Sequence, residues 1–299
     1  MFKQILVPLD GSKLAESALP AAGTLAKVLK ARINLLHVIE QDAPKEIHRD
    51  RHLSDSAEAV KYLEEIAGLN FEKKIKLDWH VHTASVTDVA RSITEHSTSE
   101  SQADLIILTS HGNSGMHDLF MGNIAQQVVS MGGSPVLLIK PSIPPDKFIV
   151  ERILVPLDDK SIHDQAIPTA ETLAKAFHAH LELLCVIPTL KTLSGEQAAS
   201  GNFMPATTAA FLDIVEETTR EHFQVHLDAL TKIGLSASAT IARGDPAPMI
   251  AKTGDSIHAD LIILGTHGRA GLDAFWNRSV TAGVARRSRI PLLLIPLSD

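Results

Sequence analysis

The stretch KQILVPLDGSKLAESALPAAGTLAKVLKARINLLHVIE, residues 3–40, recurs as ERILVPLDDKSIHDQAIPTAETLAKAFHAHLELLCVIP, residues 151–188. The segments ILVPLD and TLAK and a central proline (Pro20, Pro168) lie in register, 148 residues apart. A later landmark, ADLIIL, begins at Ala103 and again at Ala259, 156 residues apart. The chain is therefore an internal repeat, whose second half carries eight additional residues between these landmarks.

Within each repeat, short apolar runs alternate with segments of helical periodicity. The run Ile5, Leu6 and Val7 is closed by Pro8, and apolar residues then recur at helical spacing behind Ser12, a favourable N-cap. The pattern predicts five strands per repeat, near residues 5–7, 33–39, 75–83, 104–108 and 135–139, and near residues 153–157, 181–187, 237–242, 260–264 and 291–295. Such strands, separated by amphipathic helices, predict an α/β protein of two tandem doubly wound, Rossmann-like domains, each with a five-stranded, mostly parallel sheet.

The stretch PPDKF, residues 144–148, reads as the linker between the repeats. We therefore predict one domain over residues 1–143, a linker over 144–150 and a second domain over 151–299. The additional residues of the second repeat are expected in KTLSGEQAASGNFMPATT, residues 191–208. Its glycine, serine, alanine and threonine content predicts a loop, and a slack connection is favoured over a lid.

Composition excludes several classes of protein. The net charge of −7 and the absence of a basic cluster argue against nucleic acid as a partner. The single cysteine, Cys185, excludes an internal disulfide and a cysteine-based zinc site. Because no uninterrupted apolar run is long enough for a membrane span and the N-terminus does not resemble a signal peptide, we expect a cytoplasmic protein with no membrane partner.

A glycine-containing loop follows the fourth predicted strand of each repeat: LTSHGNSGMHDLFMGN, residues 108–123, and LGTHGRAGLDAFWNRS, residues 264–279. Ligands of open parallel sheets bind beyond the carboxyl ends of the strands, where the winding reverses. Asp10 and Asp158, each at the end of a first strand, should therefore lie beside these loops. The helix after each loop begins with unpaired N–H groups, which favour an anion. Neither the dinucleotide-binding fingerprint nor the P-loop motif is present.

These motifs together resemble the universal stress protein family in its tandem form, over nearly the whole chain. The resemblance rests on ILVPLD at the first strand, ADLIIL at the fourth, the loop pattern G-x2-G-x9-G-[S/T], and a proline before an apolar final strand (SPVLLI, IPLLLI). It implies the adenine nucleotide alpha hydrolase-like fold. It also implies a stress-response regulator that binds ATP or AMP, with Mg²⁺ accompanying the nucleotide, although the family also contains members that bind no ATP.

In the first repeat the resemblance implies that Asp10 lies beside adenine and that Val38 packs near the base. It implies that the phosphate and ribose loop is formed by Thr109, Gly112, Gly122 and Asn123. Gly122 and a capping Asn123 leave the phosphate end usable. Thr109 departs from the pattern, and its β-branched side chain could crowd a ribose.

In the second repeat the corresponding residues are Asp158, Val186, Gly265, Gly268, Arg278 and Ser279. Arg278 departs from the pattern, and its guanidinium could clamp a phosphate or fill its place. Obstruction is slightly favoured, so the first repeat is the preferred nucleotide site.

The resemblance also bears on assembly. In the family the final strands pair across a two-fold axis, so the two repeats could form an internal pseudo-dimer, and two chains could associate further as a homodimer. Helices or loops that shield each sheet edge are the alternative.

Other functions remain open at this point. No nucleophile elbow, HExxH motif or paired-carboxylate signature indicates catalysis, so at most slow ATP hydrolysis is expected. A scaffold that acts through unknown protein partners, or a receptor for another small or lipidic molecule, are the alternatives. His222 and His226 are four residues apart on a predicted helix and could share a metal, but the sequence shows no third ligand and favours two exposed histidines. No metal site is therefore predicted.

Overall fold

The computed structural model of the chain describes residues 2–43, 46–47, 50–110, 123–141, 147–158, 161–193, 195–266 and 279–297. The strands, in chain order, are β1 (Gln4–Pro8), β2 (Arg32–Glu40), β3 (Glu46–Ile47), β4 (Asp50–Arg51), β5 (Leu77–Val86), β6 (Leu105–Thr109), β7 (Val136–Ile139), β8 (Arg152–Leu157), β9 (His180–Ile187), β10 (Ala237–Arg243), β11 (Leu261–Thr266) and β12 (Leu292–Pro296).

The helices that connect these strands are α1 (Lys13–Glu16), α2 (Leu19–Leu29), α3 (Ser56–Asn70), α4 (Val89–Glu95), α5 (Asn123–Met131), α6 (Ile167–Phe177), α7 (Gly195–Phe203), α8 (Pro205–Lys232), α9 (Pro246–Ser256) and α10 (Val280–Arg287). A π-helical turn, His96–Glu100, continues α4, and a 3₁₀ turn, Ser161–Ala166, leads into α6. In the described part of the chain, no helix is both long and apolar enough to cross a membrane.

The chain divides into two compact units. Unit 1 runs to Ile149 and includes Pro291–Pro296, whereas unit 2 contains Val150–Gly265 and the segment that ends at Ile290. Strand β12, the last strand of the second repeat, therefore belongs to unit 1. The strand order is β12–β7–β6–β1–β2–β5 in unit 1 and β10–β9–β8–β11 in unit 2.

The strand order confirms the predicted fold class. In the described part of the chain, apart from the short β3–β4 pair, each repeat contributes five strands, and the pairs within unit 1 and within unit 2 are parallel except for β7 with β12. In the first repeat the chain moves outward from β1 to β2 and β5, then returns to place β6 on the other side of β1. The carboxyl ends of β1 and β6 therefore flank a switch point, the usual ligand position in such sheets.

The antiparallel pairing of β7 with β12 joins the last strands of the two sequence repeats. Leu292 is paired with Leu138, Leu293 with Leu137, and Leu294 with Val136. Since β6 lies on the other side of β7, that strand has a partner on both sides. The expected pseudo-dimer pairing of the final strands is thus made within one chain.

The same local signals start and stop α2 in the first repeat and α6 in the second. Pro20 and Pro168 lie in the first turn of α2 and α6, where a missing backbone N–H is tolerated. Both helices end in a left-handed residue, Lys30 with φ 55° and His178 with φ 57°. Ser12 caps α1 as predicted, because its hydroxyl oxygen accepts the backbone N–H of Ala15.

The loop predicted over residues 191–208 is wrong, because most of this stretch is helical. It contains α7, a break at Met204 and the beginning of α8, which starts with Pro205 at its N-terminus. Alanine and glutamine favour a helix, and the buried Gly201 of α7 packs against Leu193, so the glycine and serine content does not prevent a helix. The second repeat therefore has a 28-residue helix where the first repeat has the 15-residue α3.

Candidate functional site

The first candidate site lies at the carboxyl end of β1, where the chain turns sharply. Gly11 has φ +92°, and a Cβ atom there would lie 2.8 Å from Cγ of Leu53. The Asp10 carboxylate accepts hydrogen bonds from the backbone N–H and the hydroxyl of Ser12, at 2.9 and 2.6 Å. Ser12, which also caps α1, therefore holds the Asp10 carboxylate at the switch point.

A segment that the sequence did not indicate packs on this turn. The backbone N–H of Lys13 donates to Asp50 at 2.8 Å. The two ring nitrogens of His37, which is buried, lie 2.8 Å from the Leu9 carbonyl oxygen and 2.9 Å from the Leu53 carbonyl oxygen. One nitrogen donates in the neutral ring and both donate in the protonated ring. Through these contacts residues 50–53 form one wall of the site.

Three carboxylates, Asp10, Glu16 and Asp50, lie on this side of the site, where the Lys13 ammonium pairs with Glu16 at 2.8 Å. The Tyr62 hydroxyl, from α3, donates to Glu16 at 3.3 Å. Burial raises the pKa of Tyr62 far above its ordinary value, and the negative charges of Glu16, Asp10 and Asp50 raise it further. Such surroundings favour hydrogen-bond donors and disfavour an anion.

Thr109 lies at the carboxyl end of β6, opposite the Asp10 turn. Its hydroxyl oxygen is 3.2 Å from the hydroxyl of Ser17, just after α1. The side chain that could crowd a ribose is therefore directed at α1. Val38 is 8% exposed at the end of neighbouring β2. Asp10, Val38 and Thr109 thus lie at the ends of three adjacent strands, and the ends of β1 and β6 are neighbours as predicted.

Three predicted residues of the first loop have no described side-chain geometry. Gly112 and Gly122 lie outside the described residues, and the side chain of Asn123 does as well. The backbone of Asn123 begins α5, which places the start of a helix directly after the loop, as predicted. The phosphate end of the site therefore remains a prediction.

Lys140 is a residue near this site that the sequence did not single out. It follows β7 directly, and the preceding carbonyl of Ile139 accepts from the backbone N–H of Ser110 at 2.9 Å. Ser110 is the residue that leads into the glycine loop. Lys140 is 2% exposed, and burial lowers the pKa of its ammonium group to about 8. The strand register thus places the backbone of Lys140 next to Ser110, where the chain enters the loop.

In the second repeat, Asp158 has a different partner. Its carboxylate lies 2.5 Å from Nδ1 of His163, within the 3₁₀ turn. The corresponding residue of the first repeat, Ala15, has no side chain that could form this contact. Val186 is half-buried on β9. A ligand at this carboxylate would therefore have to compete with the histidine.

Two other residues predicted in the second repeat, Gly265 and Ser279, lie near the end of β11 and at the start of α10. A Cβ atom at Gly265 would lie 2.8 Å from Cδ2 of Leu297, so a leucine side chain packs against the glycine expected to admit a ribose. Ser279 caps α10, because its hydroxyl accepts the backbone N–H of Ala282 at 3.1 Å. Gly268 and Arg278 lie outside the described residues.

The close packing of α10 against α9 can be tested by a substitution at a glycine of α10. A Cβ atom at Gly283 would lie 2.5 Å from Cβ of Ala247 in α9, and neither atom can turn away on a flexible side chain. Gly283→Ala should therefore lower the free energy of unfolding by about 1–3 kcal/mol, as overpacking does, measured by urea denaturation.

The matched control is the same substitution at Gly68 in α3, where no atom lies within 4 Å of an added Cβ. Gly68→Ala should stabilise the protein by up to about 1 kcal/mol, because alanine favours a helix. Equal effects of the two substitutions would contradict the close contact between α9 and α10.

Comparison with known proteins agrees with this architecture. The model of the universal stress protein family matches residues 1–140 and 150–296. Universal stress protein Rv2005c of Mycobacterium tuberculosis is 22% identical over 305 residues, which cover 97% of this chain and 96% of that protein. Universal stress protein Sll1654 of Synechocystis is 32% identical over 144 residues, 46% of this chain and 86% of that protein.

A crystal structure of a universal stress protein from Archaeoglobus fulgidus has a TM-score of 0.68 and 18% identity, and it covers 99% of this chain and 97% of that one. At this identity the likeness shows the fold alone. With both repeats matched by the family model, the chain belongs to the universal stress protein family, with two such domains in tandem.

Proposed function

We propose that this chain is a stress-response regulator that binds an adenine nucleotide, ATP or AMP, at the first candidate site. The observation that carries the proposal is the Asp10 turn, which holds a carboxylate at the switch point between β1 and β6, one strand from Val38. A carboxylate oxygen accepts hydrogen bonds, and adenine offers the donors of its amino group. Val38 adds an apolar surface beside this end of the strands.

The charge distribution supports one orientation of the nucleotide. Asp10, Glu16 and Asp50 place three carboxylates on one side of the site, of which Glu16 is paired with Lys13, so the base and not the phosphates belongs there. The phosphates would then lie toward the start of α5. Unpaired N–H groups at a helix start favour an anion. With ATP, Mg²⁺ would accompany the phosphates.

The second repeat fits a nucleotide less well. The Asp158 carboxylate contacts the ring of His163, whereas the Asp10 carboxylate is held by Ser12 of its own turn, and Leu297 packs against Gly265. A ligand in the second repeat would have to displace the histidine ring and the leucine side chain. We therefore assign the site to the first repeat.

The experiment measures the dissociation constant of ATP and of AMP, with and without Mg²⁺, for the full chain and for two reciprocal variants. Gly122→Arg introduces into the first loop the residue that the second loop carries, and Arg278→Gly does the opposite. Gly122→Arg should weaken binding at least about tenfold, a loss of about 1.4 kcal/mol, and Arg278→Gly should leave the dissociation constant unchanged.

Folding is checked separately through the melting temperature without nucleotide, which should be similar for the three proteins. For the wild type, ATP at about 100 times its dissociation constant should add about 2.7 kcal/mol of stability. The absence of saturable binding to the wild type, or unchanged binding by Gly122→Arg, would reject the first repeat as the nucleotide site.

A further inference from the structure

Two histidines and an aspartate of unit 2 converge on one point. His222 and His226 are one turn apart on α8, and Asp164 lies on the 3₁₀ turn before α6. The two Nε2 atoms are 3.1 Å apart. Oδ2 of Asp164 is 3.2 Å from Nε2 of His222 and 3.4 Å from Nε2 of His226. One ligand atom from each residue therefore forms a nearly equilateral triangle.

The surrounding packing holds α8 in place independently of this cluster. Phe223, between the two histidines, is 2% exposed. Further along the helix, Glu216 accepts a hydrogen bond from Nε of Arg243 at 2.9 Å, and Asp213 accepts one from the same guanidinium at 2.9 Å. Arg243 ends strand β10, so the helix is tied to the sheet. The histidines are thus presented from a fixed surface.

The triangle has the size that a bound metal ion requires. Zinc bonds to histidine nitrogen and carboxylate oxygen are about 2.0–2.2 Å long, which separates the ligand atoms of a tetrahedral site by about 3.3 Å. The three measured distances, 3.1, 3.2 and 3.4 Å, bracket this value. The His222 and His226 rings meet edge to face, at 86°, and are not stacked on each other.

We propose that Asp164, His222 and His226 bind a divalent transition-metal ion of the zinc type. Two imidazole nitrogens and one carboxylate oxygen are a ligand set for such ions, whereas Ca²⁺ and Mg²⁺ prefer oxygen ligands throughout. The three side chains are 20–39% exposed, so solvent reaches the fourth coordination position. The ion is bound without any contribution from a nucleotide.

Binding at this site would link α8 to the 3₁₀ turn. His163, which precedes Asp164 in that turn, is the residue paired with Asp158. The metal would therefore fix the turn whose His163 contacts Asp158 of the second candidate nucleotide site. This gives the long helix of the second repeat a role that the first repeat does not share.

A second cluster, His80, His96 and Glu100, lacks this convergence. The two imidazole rings are stacked at 25° with centroids 4.9 Å apart, so their faces and not their nitrogens oppose each other. Oε2 of Glu100 is 3.0 Å from His96 but 3.8 Å from His80. A metal ion is therefore assigned to the Asp164 cluster alone.

The test titrates Zn²⁺, and separately Co²⁺, into the full chain after treatment with a chelator and without nucleotide. We expect one ion bound per chain at this site, a raised melting temperature, and the visible absorption of tetrahedrally coordinated Co²⁺. His222→Ala and Asp164→Asn should each weaken Zn²⁺ binding at least about tenfold and abolish that absorption. Asp164→Asn keeps the size of the side chain and serves as the second variant if His222→Ala fails to fold.

The matched control is His258→Asn. His258 is exposed, lies outside the cluster and has φ 52°, a conformation that asparagine tolerates. This variant should bind Zn²⁺ and Co²⁺ as the wild type does. Equal affinity of the wild type and Asp164→Asn, or a Co²⁺ spectrum without tetrahedral absorption, would overturn the proposal.

Discussion

Replacing Lys140 by methionine should raise the free energy of unfolding at pH 7 by up to about 3 kcal/mol, because each unit of pKa difference between the folded and unfolded chains corresponds to about 1.4 kcal/mol. Burial lowers the pKa of this ammonium group from 10.5 to about 8 in the folded protein. Methionine has a similar length and no charge. The polar interaction that Lys140 makes in the folded protein offsets part of the gain.

The dependence on pH distinguishes this charge effect from a simple change in packing. Below pH 8 the lysine is protonated in both states, so the full cost of burying the charge is present. Between pH 8 and 10.5 the unfolded chain still binds the proton while the folded chain has released it, so the stability contributed by this group rises with pH. The rise should be present in the wild type and absent from Lys140→Met.

Urea unfolding at pH 7, 8, 9 and 10 measures both effects. Lys61→Met is the control, because the Lys61 side chain is 79% exposed and its ion pair with Glu65 is 4.0 Å long. That substitution should change the free energy of unfolding by no more than about 0.5 kcal/mol. The same pH profile for the two variants would show that Lys140 is not buried as a cation.

Most of the fold could be predicted from the sequence because its signals are local and occur twice. Apolar runs such as Ile5–Val7 identify the strands, and Pro20 and Ser12 mark helix starts wherever the rest of the chain lies. The error over residues 191–208 arose because the composition of this stretch is mixed. Glycine and serine indicated a loop there, but the alanines favour a helix and Gly201 packs against Leu193 within it.

The candidate site was predictable only to the extent that strand ends determine it. Asp10 and Thr109 come together because the ends of β1 and β6 must meet at the switch point. The contact of Leu53 with Gly11 and the burial of Lys140 depend on how distant segments pack, and neither has a local signal. Asp164 likewise meets His222 across 58 residues of chain, so the spacing of the histidines revealed only two ligands of three.

The pairing of the two repeats depends on leucines that lie opposite each other on neighbouring strands of unit 1. Leu138 in β7 lies opposite Leu108 in β6 and Leu292 in β12. On the other face, Leu137 lies opposite Leu293 in β12. All of these side chains are buried. Removing one leucine therefore opens a cavity in the place where the last strand of the second repeat joins the first.

Leu138→Ala should lower the free energy of unfolding by about 2–5 kcal/mol, measured by urea denaturation, since Leu138 is fully buried and its neighbours are held by strands on both sides. The exposed Leu69, at 84% exposure, provides the control, and Leu69→Ala should change stability by about 0.5 kcal/mol or less.

A double-mutant cycle then tests the register. Combined with Leu292→Ala, on the same face, Leu138→Ala should show a coupling energy of about 0.5–3 kcal/mol, because the two side chains share one cavity. Combined with Leu293→Ala, on the opposite face, the effects should add to within about 0.5 kcal/mol. Side chains on a strand alternate between faces, so a shift of one residue in the β7–β12 pairing would exchange these two results. Additivity for both pairs would mean that the final strands of the two repeats are not paired at all.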